Sequence, residues 1–195
     1  MLKDLLKEKN IILASGSPRR QQFFKDLGLD FIIQPKEVEE IYPDHLKAEE
    51  ISDYLAVLKV DAFTEIKHND ILITSDTIVW HNGKALGKPK NLEEASKMIH
   101  SLSADTHEVI TSVCFKTSKQ VIVVHHTTKV EFKQLSEEEV EYYVNTYKPL
   151  DKAGAYGIQE WIGHIAITSI EGSYFNVMGL PTHLVYKTLI ELAKM

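Results

Sequence analysis

Ile11-Ile12-Leu13-Ala14-Ser15-Gly16-Ser17-Pro18-Arg19-Arg20 is an apolar run that stops at small residues, then a proline, then two adjacent arginines. The helical pattern Gln21-Gln22-Phe23-Phe24-Lys25-Asp26-Leu27-Gly28 follows it. Together they predict a strand, a tight turn and a helix start. Ser17 suits the N-cap, Pro18 the first helical position and Gly28 the left-handed residue after the last turn. Unpaired N–H groups at a helix start attract anions. Arg19 and Arg20 add planar forks of donors that match phosphate geometry, so the turn reads as a polyphosphate grip. A capped helix with two surface arginines is the plain alternative, and the rest of the chain decides between them.

A chain of 195 residues with 44% hydrophobic content fits one globular domain, or one domain with a small lobe. A net charge of -6 argues against general affinity for duplex nucleic acid, which rests on a broad basic surface. An anionic ligand would need a local basic pocket. The single Cys114 excludes an intramolecular disulfide and fits a reducing compartment. Met1 to Asn10 carries five charges around Leu2, Leu5 and Leu6, which reads as a short amphipathic lead-in rather than a secretory signal. No apolar run reaches membrane-spanning length. The expected location is the cytoplasm, with no nucleic acid and no membrane as partner; monomer or homodimer is left open.

Downstream, Phe31-Ile32-Ile33 predicts a second strand closed by Gln34-Pro35. Glu37, Glu39 and Glu40 then place three carboxylates in four residues. The segment is either a solvated acidic loop or, beside a phosphate grip, a source of oxygen ligands for a divalent cation shared with substrate phosphates. Ile51, Leu55, Leu58, Ala62 and Ile66 predict a long amphipathic helix over Ala48 to Ile66, with Lys59 at the margin of its apolar stripe. Ile71-Leu72-Ile73-Thr74 reads as a buried strand that continues to Trp80, and Asn82-Gly83 as a two-residue hairpin turn. Asp76 therefore sits inside an apolar stretch. A carboxylate there is costly to bury unless it is paired, binds a metal or acts on a substrate. Lys88, between Gly87 and Pro89, is placed where a rigid loop could present an ammonium.

Asn91 with Glu94 opens a helix through Leu102, and Ser136 with Glu139 forms a capping box for another. Glu108 to Phe115 and Val121 to Phe132 read as extended segments joined by a polar turn. Asp151-Lys152-Ala153-Gly154-Ala155-Tyr156-Gly157-Ile158-Gln159 fits no simple helix or strand. Its glycines allow close approach of backbone to a ligand, and Gln159 offers the donor and acceptor that reading a pyrimidine edge requires. Ile165 to Ile170 predicts a strand, Glu171-Gly172-Ser173 a turn, and Pro181 the start of a terminal helix. The nine histidines show no metal-site spacing, and neither a P-loop nor a G-x-S-x-G elbow is present.

Taken in order, Leu13 to Arg20, Ser75-Asp76-Thr77-Ile78-Val79, Leu86-Gly87-Lys88-Pro89, Leu102-Ser103 with Thr106-His107, Asp151 to Gln159 and Gly179-Leu180-Pro181 resemble the Maf family of nucleoside triphosphate pyrophosphatases. The resemblance runs over nearly the whole chain. It implies an α/β fold like that of the inosine triphosphate pyrophosphatases, with a curved mixed β-sheet flanked by helices and two lobes around a central cleft, as a single domain over 1–195. It also implies hydrolysis of a nucleoside triphosphate to the monophosphate and pyrophosphate. Carried over residue by residue, it makes Ser15, Arg19, Arg20, Lys59 and Lys88 phosphate contacts, Glu40 the metal-linked acid and Asp76 the catalytic acid. The ending Tyr156-Gly157-Ile158-Gln159 resembles the branch acting on dTTP and UTP rather than the one that prefers 7-methyl-GTP. The chain departs from the family pattern at Glu160-Trp161, where a glycine is usual.

The chemistry of those residue types agrees. Attack of water on an α-phosphorus needs cations against three phosphates, a divalent metal on their oxygens and a carboxylate to take the water's proton. Asp76 fits the general base and a metal contact; Arg20, Lys59 and Lys88 fit the departing pyrophosphate. Mg2+ is the expected ion on availability, with Mn2+ or Co2+ as the other candidates. Two readings compete: an inosine triphosphate pyrophosphatase, and a non-enzymatic regulator of cell division (septum formation).

Overall fold

The computed structural model describes residues 1–194. Helix α1 (Leu2–Leu5) leads into strand β1 (Asn10–Leu13), whose Ile11 and Leu13 are buried. Helix α2 (Pro18–Asp26) starts as its residues dictate: Ser17 Oγ accepts the Arg20 N–H, Pro18 takes the first position and Gly28 takes φ +69° just beyond the end. Strand β2 (Ile32–Ile33) pairs in parallel with β1 for only two residues.

Helix α3 spans Glu49–Asp61, shorter than the expected Ala48 to Ile66. Ala48 sits at φ 47°, outside the helix, and after Asp61 the chain turns so that Phe63 enters the core with Ala56, Val60, Leu72 and Cys114. Ala62 and Ile66 pack on that same cluster from beyond the helix. Their spacing extended the apolar stripe in sequence although the helix had ended.

Strand β3 (Asp70–His81) and strand β4 (Lys84–Leu86) form the expected hairpin, with Val79 opposite Leu86 and both turn residues at positive φ, 49° at Asn82 and 74° at Gly83. Helix α4 (Leu92–Leu102) is capped by Asn91 Oδ1 from the Glu94 N–H at 2.8 Å, while the Glu94 carboxylate accepts instead from Lys90 N–H. Strands β5 (Thr106–Lys116) and β6 (Val121–Phe132) follow, then helix α5 (Glu137–Tyr147), whose capping box is complete in both directions. A single 3-10 turn covers Ala153–Ala155.

The expected strand over Ile165 to Ile170 is corrected to helix α6 (Trp161–Ala166) followed by strand β7 (Ile167–Glu171). Ile162 and Ala166, four residues apart, share the buried helical face, and the unbroken apolar run Ile165-Ala166-Ile167 concealed the change of period. Helix α7 (Tyr174–Val177) and helix α8 (Thr182–Ala193) complete the order.

The strands form one mixed seven-stranded sheet in the order β2-β1-β3-β5-β6-β7, with β4 on β3. The β1–β3 pair is parallel, with Asn10 opposite Asp70 and Leu13 opposite Ile73, and the β6–β7 pair is antiparallel. The chain is organised as two compact units, Met1–Asp76 with Thr111–His126 and Gly179–Met195, and Thr77–Ile110 with Thr127–Met178. Each has its own core; that of the second is built on Ile99, Leu102, Phe132, Tyr143 and Ile162.

Candidate active site

The first unit gathers Ser15, Arg19, Arg20, Glu40, Lys59 and Asp76. Asp76 ends the buried run of β3 and is only 5% exposed. Its Oδ1 accepts from Lys59 Nζ at 2.6 Å, and the same ammonium pairs with Glu40 Oε1 at 2.8 Å. Lys59 thus leaves the margin of α3 to stand between a carboxylate on a rigid strand and one on the extended segment before α3. Of the three adjacent acids, Glu40 is the one that meets it; Glu37 and Glu39 line the same hollow with Lys36 and Val38.

Arg20 is fixed from two sides. Its Nε donates to the Gly179 carbonyl and a terminal nitrogen to the Ser75 carbonyl, both at 2.9 Å. Because Ser75 is the neighbour of Asp76, this bond ties the start of α2 to the strand that carries the acid. Ser15 is buried in the turn, where its Oγ accepts the Ser17 N–H at 3.2 Å and its carbonyl accepts from Gln21. Arg19 is half-buried in the same turn.

Burial pushes the Asp76 carboxyl above its usual range, against the pull of Lys59 and Arg20, and Glu40 pushes in the same direction as burial. Removing a carboxylate from water costs several kcal/mol, more than one ion pair returns, so the desolvation effect wins. The result is a more basic carboxylate than an exposed aspartate. Burial also lowers the Arg20 guanidinium from its ordinary value, with Asp76 opposing. Arginine starts so high that it stays a cation.

Glu40 and Asp76 supply hard carboxylate oxygens already directed at one cation, the donor type that Mg2+ prefers. Among the described residues no group of three or more His, Cys, Asp or Glu is placed to hold an ion alone.

Lys88 and Gln159 belong to the second unit. Lys88 is exposed on the loop after β4, whose Gly87 carbonyl accepts the Gly154 N–H at 3.1 Å. Gly154 takes φ +66°, and a Cβ there would lie 2.7 Å from Val79 Cγ2, so only glycine permits this approach. Gln159 is half-buried in a turn closed by Glu160 N–H on the Gly157 carbonyl at 3.0 Å.

What holds that loop leaves little trace in the sequence. Tyr143 of α5 donates a hydrogen bond to Glu160, Lys152 pairs with Glu160 at 3.1 Å and Asp151 at 2.7 Å, and Tyr156 meets His107 Nε2 at 2.7 Å. The departure at Glu160 was the one visible signal. Burial depresses His107 to about 3, so it is neutral throughout the physiological range.

Residues 10–192 match the family model described as Maf-like protein. A protein of Flavobacterium johnsoniae named dTTP/UTP pyrophosphatase is 65% identical over 193 residues, 98% of this chain and 100% of that one. Proteins of the same name in Christiangramia forsetii and Phocaeicola vulgatus are 60% and 50% identical, each over 98% of this chain and covering 98% and 100% of their own lengths. Among solved structures, a HAM1 protein from Coxiella burnetii shares the fold, with a TM-score of 0.52 and 13% identity over 94% of this chain and 99% of that chain.

Proposed function

The chain belongs to the Maf-like protein family, and we propose that it is a nucleoside triphosphate pyrophosphatase acting on dTTP and UTP. The observation that carries the mechanism is the Glu40–Lys59–Asp76 cluster beside Arg20. In this reading water attacks the α-phosphorus and Asp76 accepts its proton. The bond from the α-phosphorus to the bridging oxygen breaks, and pyrophosphate leaves with the electron pair. Arg19, Arg20 and Lys59 offset charge that builds on the leaving group, and Ser15 and the start of α2 present donors to it.

A divalent cation, Mg2+ before Mn2+ or Co2+, would be held by Glu40 and Asp76 and would neutralise phosphate oxygens. Lys88 as a further phosphate contact and Gln159 as the base reader rest on the family resemblance. The acidic balance and the absence, among the described residues, of a helix long and apolar enough to cross a membrane support a small nucleotide as partner and a cytoplasmic setting.

The test is pyrophosphate release from a panel of dTTP, UTP, dCTP, GTP, 7-methyl-GTP and ITP with Mg2+. The proposal expects dTTP and UTP to lead by at least about tenfold, the discrimination that roughly 1.4 kcal/mol provides. ITP as the preferred substrate would favour the inosine triphosphate reading, and no release from any nucleotide would remove the enzymatic one.

A further inference from the structure

Gln159 occupies the third position of the turn Gly157-Ile158-Gln159-Glu160, and both corners of that turn meet one oxygen. Tyr143 OH accepts the Gly157 N–H at 3.1 Å and donates to the Glu160 carboxylate. Tyr143 itself is fully buried on α5, and its ring stacks on Tyr147, with centroids 5.0 Å apart. Glu160 is held in turn by Lys152, which is only 8% exposed. This pair lies directly on Gly157: a Cβ there would come within 2.9 Å of Glu160 Cδ and 3.0 Å of Lys152 Cε.

We propose that Tyr143 is a positioning residue for base selection, whose single hydroxyl clamps the turn that presents Gln159. This role follows from Gln159 being the base contact, as proposed above. A glutamine amide that must match a donor and an acceptor on one base edge gains discrimination only if its backbone is held within about 0.5 Å. A turn on a loop does not supply that stiffness by itself. Here a phenol buried on a rigid helix accepts from one corner and donates to the other, and the Lys152–Glu160 pair keeps the acceptor in place. Burial and the adjoining carboxylate hold the phenol in its protonated form, so it remains a donor. The Gly154 N–H bond to the Gly87 carbonyl anchors the same loop nearer its start.

Tyr143→Phe removes the oxygen and nothing else. The expected result is a rise of about tenfold in KM for dTTP and UTP with kcat within about twofold, while inhibition by inorganic tripolyphosphate, which has no base, is unchanged. In a Gln159→Ala background the same substitution adds no further change in KM, because the two residues act in series. If Tyr143→Phe weakens tripolyphosphate as much as dTTP, or leaves both untouched, or adds its full effect on top of Gln159→Ala, the inference is overturned while the pyrophosphatase reading stands. A wild-type chain inactive on dTTP and UTP would overturn both.

Discussion

At Asp76 two effects oppose each other: burial raises the carboxyl's pKa, and the Lys59 ammonium at 2.6 Å lowers it. Removing one partner of a buried pair leaves an uncompensated charge and costs a few kcal/mol, whereas removing both costs much less. Lys59→Met should therefore reduce turnover by about a hundredfold or more and lower the thermal midpoint by several degrees. Lys59→Met with Asp76→Asn should recover the midpoint without recovering turnover. Thermal unfolding of the four proteins checks this, and a double variant no more stable than Lys59→Met would count against the pairing. His107 offers a pH test at a site remote in chemistry. It titrates at about 3 when folded and near 6.5 when unfolded, so between those values the unfolded chain binds more protons. The contribution of His107 to stability is present above pH 6.5 and is lost as pH falls, by about 2 kcal/mol from pH 6.5 to 5. His107→Gln should flatten that slope in denaturant titrations; parallel slopes would assign it to another group.

At the level of elements, the passages with strong local chemistry were legible. The Ser17-Pro18 helix start, the Asn82-Gly83 hairpin and the Ser136–Glu139 box each satisfy their own backbone groups within a few residues, so the sequence contains the whole cause. Boundaries set by tertiary packing were not. The end of α3 is decided by Phe63 entering a core with Leu72 and Cys114, and α6 by its fit under the turn before it. That fit is tight: a Cβ on Gly163 would lie 1.8 Å from the Ile158 carbonyl oxygen. Alanine normally gains about 1 kcal/mol over glycine inside a helix. Here the overlap with backbone should reverse the sign, so Gly163→Ala is expected to destabilise by about 2 kcal/mol, read as a lowered unfolding midpoint. An unchanged or raised midpoint would mean that α6 shifts freely from the Ile158 carbonyl.

For the whole molecule, residue types pointed to the chemistry, but only the fold shows who meets whom. Lys59 and Asp76 are 17 residues apart, and Arg20 bonds a carbonyl 159 residues away. No periodicity encodes such pairs. The choice of Glu40 over its acidic neighbours and the clamp of Tyr143 on both corners of the Gln159 turn are of the same kind. The buried acid was legible because a carboxylate inside an apolar strand is expensive without a function or a partner, and it has Lys59 as partner. In the proposed mechanism this acid drives cleavage next to the α-phosphorus. The direct measurement is pyrophosphate release from dTTP by the wild-type chain and by Asp76→Asn, together with dTTP binding and thermal unfolding of both. The variant is expected to stay folded, still bind dTTP and release pyrophosphate at least about a thousandfold more slowly, a barrier increase of roughly 4 kcal/mol. Release at the wild-type rate by a folded Asp76→Asn protein would contradict it.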